Sequence, residues 1–267
     1  MEFSIVVPVY NEAGNVRPLL SEISRAVQGT GACEVIYVDD GSEDDTLAEL
    51  RRALPDFTAL RVLHHARRSG QSGALLTGVR AARAAWVVTL DGDGQNDPAD
   101  IRLLLQHLQD HNGLAGDLML VGHRTRRQDN RIRCWSSRIA NRVRSRLLQD
   151  GTPDTGCGLK LFPRDLLLSL PAFDHMHRFL PALVQRQGAR VISVPVRHRA
   201  RRCGVSKYGI RNRLWVGLVD MAGVMWLRRR RIGESIRGDG VLSRIGDELG
   251  VYWLQRRPCT APAEEEG

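Results

Sequence analysis

Cysteine is scarce in this chain of 267 residues, and the few that occur form no pattern. There are five cysteines, an odd number, and no two of them form a C-x-x-C pair. This distribution predicts neither a zinc site nor a disulfide framework, and it favours a reducing cytoplasm. A secretory leader is not expected, because the apolar run from residue 3 has no basic segment before it and is interrupted by Pro8.

Aromatic residues are also rare, at 5% of the chain, although the net charge of +9 indicates an anionic partner. Proteins that bind single-stranded nucleic acid interleave aromatic and basic side chains, and no such platform occurs here. We therefore expect a nucleotide or a membrane surface as the partner, and no nucleic acid. Lysine is nearly absent too, since only Lys160 and Lys207 among the 39 lysines and arginines are lysines.

Two familiar nucleotide-binding loops are missing. No G-x-G-x-x-G follows the first predicted strand, and no G-x-x-x-x-G-K-[ST] occurs anywhere. These absences argue against a dinucleotide-binding domain and a P-loop.

No apolar run reaches the ~20 residues that a helix needs to cross a bilayer. The nearest is Leu214 to Leu227, which contains Asp220 and ends in Arg228-Arg229-Arg230-Arg231. We favour an interfacial or re-entrant helix whose arginines bind anionic headgroups. A buried core helix with a charged end is the alternative.

Strand and helix patterns alternate through the first half of the chain. Strands are predicted at residues 3–9, 34–38, 60–63, 86–90 and 118–122. Helices are predicted at residues 16–27, 43–54 (capped by Ser42), about 74–82 and 101–108. Helices of this length between strands predict an α/β fold with a mostly parallel sheet flanked by helices.

The most informative segment is Asp91-Gly92-Asp93-Gly94-Gln95, which follows the fourth predicted strand. Two carboxylates and an amide at the end of a parallel strand suit Mg²⁺ or Mn²⁺, which can in turn hold a diphosphate. A calcium loop is excluded, because its sixth position is Asn96 rather than Gly and its twelfth is Arg102 rather than Glu. A plain Asx turn is the alternative.

Two earlier strands end in polar segments that belong at the same edge of the sheet. After the first come Pro8, Tyr10 and Glu12, which offer a rigid exit, a flat ring for a base and a hydrogen-bond acceptor. After the second comes Asp39-Asp40-Gly41-Ser42, where an Asp can accept a ring N–H of uracil or guanine. A turn followed by a helix cap is the alternative for the second segment.

A basic amphipathic helix is predicted beyond residue 124. Its apolar positions are Ile132, Trp135, Ile139, Val143 and Leu147, with arginines between them. A membrane-facing surface explains it, and a core-facing helix with a solvated arginine face is the alternative.

Together these segments resemble the family 2 inverting glycosyltransferases with a GT-A fold, over about residues 3–215. The resemblance is closest to the dolichol-phosphate mannose synthase branch, which glycosylates polyprenyl phosphates. The residues that carry it are Val7 to Glu12, Val38 to Ser42, Asp91 to Gln95, Gly122 to Arg124, Asp154 to Lys160, and Arg201 to Gly209.

The resemblance implies a role for each matching residue. The nucleoside of a nucleotide sugar, a GDP- or UDP-hexose, would be held by Pro8, Tyr10, Glu12, Val38, Asp40 and the neighbouring Asp39. The metal, Mg²⁺ or Mn²⁺, would be held by Asp91, Asp93 and Gln95, with the Gly92 backbone nearby. The phosphates of donor and acceptor would be bound by Arg124, Arg201 and Lys207, with Arg202 as the alternative to Arg201. Asp93, Arg201 and Lys207 would then be the catalytic residues.

The chemistry supports a lipid phosphate as acceptor, because a phosphate is already anionic and attacks without a general base. A sugar hydroxyl would need one, and Asp154, the one acidic candidate nearby, could equally be structural. The expected reaction transfers a hexose, with mannose from GDP-mannose as the best guess, to a dolichyl or undecaprenyl phosphate with inversion. A transferase acting on a saccharide hydroxyl and a non-catalytic nucleotide-binding module are the alternatives.

The expected organisation is a catalytic domain over residues 1–212, an interfacial helix over 213–231 and an extension over 232–267 with a disordered acidic tail. Many members of the resembling branch carry transmembrane helices after the catalytic domain. Here amphipathic C-terminal segments would dock the protein peripherally on the inner, cytoplasmic face of the membrane, or a separate membrane partner would anchor it.

Overall fold

Seven strands form one sheet in a computed structural model of the chain. The structure describes residues 2–111, 117–125, 145, 147–148, 150–201, 210–230, 242–244 and 252–254. They are β1 (Phe3–Val9), β2 (Cys33–Asp39), β3 (Leu60–His64), β4 (Trp86–Thr89), β5 (Leu118–Arg124), β6 (Lys160–Pro163) and β7 (Arg190–Val196). Their order is β3-β2-β1-β4-β6-β5-β7. Strand β6 is antiparallel to its neighbours β4 and β5, and the other pairs are parallel.

Seven helices accompany the sheet in the described part of the chain. They are α1 (Ala13–Ala26), α2 (Thr46–Ala53), α3 (Gly70–Ala81), α4 (Ile101–Asp110), α5 (Arg164–Leu168), α6 (Leu180–Arg186) and α7 (Ile210–Arg229). Short 3₁₀ turns at Pro98–Asp100 and Met176–Arg178 precede α4 and α6.

The sheet is buried on both faces, because successive side chains of a strand point to opposite sides. Ile5 and Val7 of β1 pack in one core with α1 and α4. Val6, between them, packs in a second core with α3 and α6. This double burial explains why the strands read as continuous apolar runs in the sequence.

The strand register places the polar segments at one edge of the sheet. The last residue of β2, Asp39, lies opposite Val9, and Thr89 of β4 lies opposite Val6. Because β6 runs the other way, its first residue, Lys160, lies opposite Thr89 and Val121. The chain before β6 therefore meets the chain after β4 at this edge.

The predicted α/β architecture is confirmed, with differences at element ends. Helix α2 begins at Thr46 rather than at residue 43, and Ser42 does not cap it. The Ser42 hydroxyl instead donates to Asp39, while Asp44 accepts the Thr46 N–H at 2.9 Å. Strands β6 and β7 were not anticipated; β6 has only four residues, which leaves almost no periodic signal in the sequence.

Helix α7 contains the predicted apolar segment 214–227. Val224 is buried in the second core, and Arg186 Nε donates to the Leu227 carbonyl at 2.9 Å. The opposite side leaves Leu218, Val219 and Trp226 exposed by 50%, 57% and 59%. Across the described residues, no helix combines the length and the hydropathy needed to cross a membrane.

The predicted amphipathic helix between residues 132 and 147 falls almost wholly outside the described residues, as does the acidic tail. Contacts divide the chain into a unit of Met1–Arg230 and a second unit of Arg231–Gly267. In the second unit β8 (Leu242–Arg244) pairs antiparallel with β9 (Tyr252–Leu254). The division expected at residues 212 and 231 stays a prediction.

Candidate active site

A cleft of about 1000 Å³ opens at the edge where the parallel strands end. Ten of the residues singled out in the sequence line it: Pro8, Tyr10, Glu12, Asp40, Asp91, Gly92, Asp93, Gln95, Arg124 and Arg201. Open α/β sheets bind ligands at this edge. The topology thus brings together residues that are up to 193 positions apart, from Pro8 to Arg201.

Asp91 and Asp93 follow β4 and are held in place by neighbouring amides. Gln71 Nε2 donates to Asp91 Oδ1 at 3.0 Å, and the Gln95 N–H donates to Asp93 Oδ1 at 3.1 Å. Gly94, with φ +72°, makes the turn that returns the chain towards the carboxylates. Two carboxylates and a nearby amide side chain are a donor set that suits a hard divalent cation.

The environment of Asp91 combines burial with like charge. The pKa of its carboxyl is raised to about 6, first by burial and second by Asp93, against the opposing effects of Lys160 and Arg124. A cation bound between the two carboxylates would offset their repulsion. A raised pKa caused by burial and a neighbouring like charge is typical of carboxylates at functional sites.

Gly158 forms the floor beneath the Asp91 carboxylate. A Cβ at this position would overlap the carboxylate, so only glycine leaves room for it. The Gly158 carbonyl accepts a hydrogen bond from the Thr89 hydroxyl at 2.7 Å, which ties the floor to β4.

Arg201 lies on the other side of the carboxylate pair. Its terminal nitrogen Nη2 lies 2.9 Å from Asp93 Oδ2 and 3.5 Å from Glu12 Oε1. The Glu12 carboxylate also accepts from Asn15 Nδ2 at 2.7 Å. This corner of the cleft is therefore an ion-paired cluster of two acids and one arginine.

The two aspartates after β2 have different surroundings. Asp40 lines the cleft, and its carboxylate accepts the N–H groups of Ser69 and Gly70 at 2.8 Å each. Asp39 is fully buried, bonded to Ser42 and 2.8 Å from His64 Nδ1, and it does not line the cleft. Asp39 therefore has a structural environment, although its role in binding stays a prediction.

Arg124, at the end of β5, is fixed by Asp154. Arg124 Nε and Nη2 donate to the two oxygens of Asp154 at 2.6 and 2.8 Å. Burial lowers the pKa of Arg124, but the hydrogen bonds and charge of Asp154 outweigh it and raise the pKa. Both oxygens of Asp154 are engaged by a permanent cation, so this carboxylate is not placed to accept a substrate proton.

Residues 4–170 match the family described as Glycosyl transferase family 2, which covers β1 to α5 and the carboxylate pair. The chain belongs to this family. The segment that carries Arg201 lies beyond the matched region.

Relatives of this family 2 glycosyltransferase include dodecaprenyl-phosphate galacturonate synthase from Rhizobium johnstonii, 37% identical over 86% of this chain and 68% of the relative. Undecaprenyl-phosphate 4-deoxy-4-formamido-L-arabinose transferase from Edwardsiella ictaluri is 32% identical over 78% of this chain and 63% of the relative. The chain thus spans about two thirds of the length of these relatives.

Solved structures show the same GT-A architecture. Glucosyl-3-phosphoglycerate synthase from Mycobacterium tuberculosis aligns with a TM-score of 0.63 at 21% identity, over 91% of this chain and 84% of that one. A mannosyltransferase from Pyrobaculum calidifontis, in complex with GDP-Man and Mn²⁺, aligns with a TM-score of 0.61 at 23% identity, over 87% and 65%. At these identities the likeness concerns the fold.

Besides Asp39, three of the predicted site residues are not seen at the cleft. Val38 is fully buried in the second core and does not line it. Arg202 and Lys207 lie outside the described residues. Their assignments stay predictions.

Several lining residues were not assigned from the sequence. They are Arg68, Gln71, Gly158, Lys160, Asp174, His175, His177 and Arg178. Lys160 is buried at the floor of the cleft and donates to the Cys157 carbonyl, and burial lowers the pKa of its amine. Its rarity in an arginine-rich chain was the available signal, whereas the segment from Asp174 to Arg178 carries no recognisable motif.

Gly158→Ala tests the fit between the floor and the carboxylate pair. The added methyl group must push Asp91 out of position, so we expect affinity for Mn²⁺ to fall about tenfold or more. Isothermal titration with MnCl₂ measures the change. Gly223→Ala on α7, whose Cβ would meet nothing within 4 Å, is the matched control and should bind Mn²⁺ like the unmodified protein. Unchanged affinity in a folded Gly158→Ala variant would contradict this role.

Proposed function

We propose that this family 2 glycosyltransferase transfers a sugar from a nucleotide sugar to a polyprenyl phosphate, with inversion at the anomeric carbon. The observation that carries the proposal is the Asp91/Asp93 pair, set in a cleft together with Arg124, Lys160 and Arg201. The names of the relatives at 37% and 32% identity support a polyprenyl phosphate as the acceptor.

A divalent cation, Mg²⁺ or Mn²⁺, is the proposed cofactor. Asp91 and Asp93 would hold it, with Gln95 beside them; within the described residues no three His, Cys, Asp or Glu side chains form a closed metal cage. A two-carboxylate site leaves coordination positions for phosphate oxygens. When bound, such an ion neutralises the charge that develops on the leaving diphosphate.

The proposed nucleoside site lies at the ends of β1 and β2. The Tyr10 ring is covered by the Arg68 guanidinium, whose Cζ lies 4.2 Å from the ring centroid. Pro8, Glu12 and Asp40 line the same cleft as Tyr10. Asp40 accepts two backbone N–H groups, and its Oδ1 lies 2.9 Å from His65 Nδ1. These contacts orient the carboxylate, and the remaining lone pair of Oδ2 can accept a ring N–H of a base.

An acceptor hydroxyl would need a carboxylate in the cleft that is free to act as a base. Among the described lining acids, Glu12 and Asp93 are paired with Arg201, Asp40 accepts backbone N–H groups, and Asp91 is a proposed metal ligand. Asp154, which does not line the cleft, is engaged by Arg124. The remaining lining acid among the described residues is Asp174, whose side chain is 66% exposed and lies 3.6 Å from His175 Nε2. An anionic acceptor needs positioning and charge neutralisation rather than a base. Arg124, Arg201 and Lys207 are proposed to supply them.

Two sugars are candidates for the donor. Mannose from GDP-mannose is the expectation from the sequence, whereas the two relatives are named for galacturonate and 4-deoxy-4-formamido-L-arabinose. A galacturonate donor is the second candidate, because the relative at 37% identity bears that name. Thermal-shift measurements with GDP, UDP and their sugars in the presence of Mn²⁺ separate the two.

The proposed location is peripheral, on the inner, cytoplasmic face of a membrane, where polyprenyl phosphates present their headgroups. The exposed side of α7, with Leu218, Val219 and Trp226 followed by Arg229 and Arg230, has the composition of a surface that binds a lipid interface. A separate membrane protein remains part of the proposal as an additional anchor.

The function is tested by adding radiolabelled nucleotide sugars to membranes that contain the protein. Label in a lipid that mild acid releases is the expected result, whereas label only in polymer would favour transfer to a saccharide hydroxyl. Asp93→Ala should lower transfer by roughly 10³-fold or more with the fold intact. Asp165→Ala, which removes a carboxylate that is 86% exposed, is the control and should transfer normally. Full transfer by Asp93→Ala would show that the metal has no part in the mechanism. If the unmodified protein binds nucleotide sugars but transfers no sugar in any assay, a non-catalytic nucleotide-binding module is favoured.

Asp174→Asn tests the nature of the acceptor. General-base catalysis contributes about 10² to 10⁴ in rate. For a phosphate acceptor we expect kcat of Asp174→Asn to stay within about twofold of the unmodified enzyme. A loss of 10²-fold or more, with an unchanged melting temperature, would assign Asp174 as a base and favour a hydroxyl acceptor.

The membrane surface is tested by sedimentation with anionic vesicles. Each arginine near an anionic surface contributes about 1 kcal/mol, so Arg229→Gln/Arg230→Gln should weaken vesicle binding by roughly 10- to 30-fold. Arg51→Gln/Arg52→Gln, which removes two exposed arginines at the end of α2, is the matched control. Equal binding by the two double variants would argue for a purely structural α7.

A further inference from the structure

Three arginines alternate along the segment that follows β7. Arg197, Arg199 and Arg201 each contact carboxylates of the first half of the chain. We call residues 197–201 the arginine segment. It leads directly into residues 202–209, which carry the predicted catalytic Lys207.

The first two arginines fix this segment at several points. Arg197 donates through Nε to Asp100 Oδ1 at 3.0 Å, and its own N–H donates to Asp100 Oδ2 at 2.6 Å. Arg199 uses two nitrogens, with Nη1 2.9 Å from Glu22 and Nη2 2.8 Å from Asp97. The Arg199 N–H also donates to the Gln95 carbonyl at 2.9 Å. Arg199 and Gln95 line the cleft, but the acids Asp100, Glu22 and Asp97 do not, so the ion pairs of Arg197 and Arg199 use carboxylates outside the proposed metal site.

Arg201 is attached differently. One terminal nitrogen, Nη2, makes both of its carboxylate contacts, to Asp93 Oδ2 and Glu12 Oε1. Within the described part of the chain the buried Nε atoms of both Arg199 and Arg201 have no hydrogen-bond partner, so the two arginines differ in their terminal nitrogens. Arg201 is therefore held at one point, by acids that both line the cleft.

We propose that the Arg201 guanidinium and the divalent cation compete for Asp93. On this inference the arrival of the cation displaces Arg201 from the carboxylates and frees it to bind phosphate. The inference rests on the proposed function, because it takes Asp91 and Asp93 as the metal ligands.

The physical reason is that two cations at one carboxylate oxygen repel each other, so in a partly buried site the binding of one weakens the binding of the other. The Arg201 and Asp93 side chains are only 27% and 17% exposed, so their charges are weakly screened. The divalent ion carries twice the charge of the guanidinium. Arg201 is bound to the carboxylates through a single nitrogen, Nη2, so few contacts must break when it leaves. The fixed contacts of Arg197 and Arg199 keep the backbone in place, so the exchange requires a side-chain movement alone.

Competition predicts effects of opposite sign on two ligands, because coupling between two binding events is reciprocal. Removing Arg201 should strengthen binding of the cation alone, since its competitor is gone. Removing Arg201 should weaken binding of a nucleoside diphosphate once the cation is bound, since the freed arginine is lost as a phosphate ligand. A residue with a merely structural role would weaken both.

The experiment uses isothermal titration on the full chain. MnCl₂ is titrated into the unmodified protein, Arg201→Gln and Arg197→Gln. We expect Arg201→Gln to bind Mn²⁺ roughly three- to tenfold more tightly. Arg197→Gln also removes one positive charge from the segment, but Arg197 does not line the cleft and its acids are not metal ligands, so its affinity should stay within about twofold. Equal tightening in the two variants would reduce the effect to net charge and overturn the proposal.

UDP and GDP are then titrated in turn at saturating MnCl₂. The diphosphate that binds the unmodified protein should bind Arg201→Gln roughly fivefold or more weakly, consistent with the loss of one charge-assisted hydrogen bond. Unchanged or tighter diphosphate binding by Arg201→Gln would overturn the proposal, as would weaker binding of Mn²⁺ alone.

Asp93→Asn separates this inference from the proposed function. If Asp93→Asn binds Mn²⁺ as well as the unmodified protein, the metal site itself is wrong and the competition falls with it. If Asp93→Asn loses Mn²⁺ and Arg201→Gln gains no affinity, the metal site stands and the competition alone is refuted.

Discussion

The site depends on keeping two like charges together at a partly buried edge of the sheet. Asp91 and Asp93 repel each other, and burial further disfavours the ionised form of Asp91. The fold opposes this with Lys160 and Arg124 on one side and Arg201 on the other, and with the amide of Gln71. Two carboxylates that are held close together despite their repulsion are typical of a site that binds a cation.

The same principle distinguishes the acids of the cleft by their partners. Asp154 neutralises the partly buried Arg124, Asp39 contacts a turn and a histidine, and Asp40 is oriented by the start of α3. Each of these acids has a fixed task within the protein. The cations that line the cleft, which include Arg68, Lys160 and Arg178, suit the proposed reaction, in which both the donor phosphates and the acceptor are anions.

Much of this could be predicted from the sequence. The strands were recognisable because a sheet covered on both faces needs continuous apolar runs, and the carboxylate pair was recognisable because it follows such a run at Leu90. Asp39 and Asp40 could not be told apart, because the last residue of a strand and its successor point in opposite directions and the exact end of β2 decides which one enters the cleft. The pairing of Arg124 with Asp154 depends on β6 reversing direction, and a strand of four residues leaves almost no periodic signal. The segment from Asp174 to Arg178 reaches the cleft through tertiary packing alone.

The reversed strand β6 also has a consequence for how the chain is made. Strand β4 is complete at Thr89, but the neighbour that covers its outer edge ends only at Pro163. During synthesis an apolar parallel half-sheet therefore leaves the ribosome with the backbone donors and acceptors of β4 exposed, in addition to those of the edge strand β3. Such an edge is a template for self-association until the later strand arrives. The nascent protein should depend most on chaperones in this interval, and fragments that stop before β6 should aggregate rather than fold.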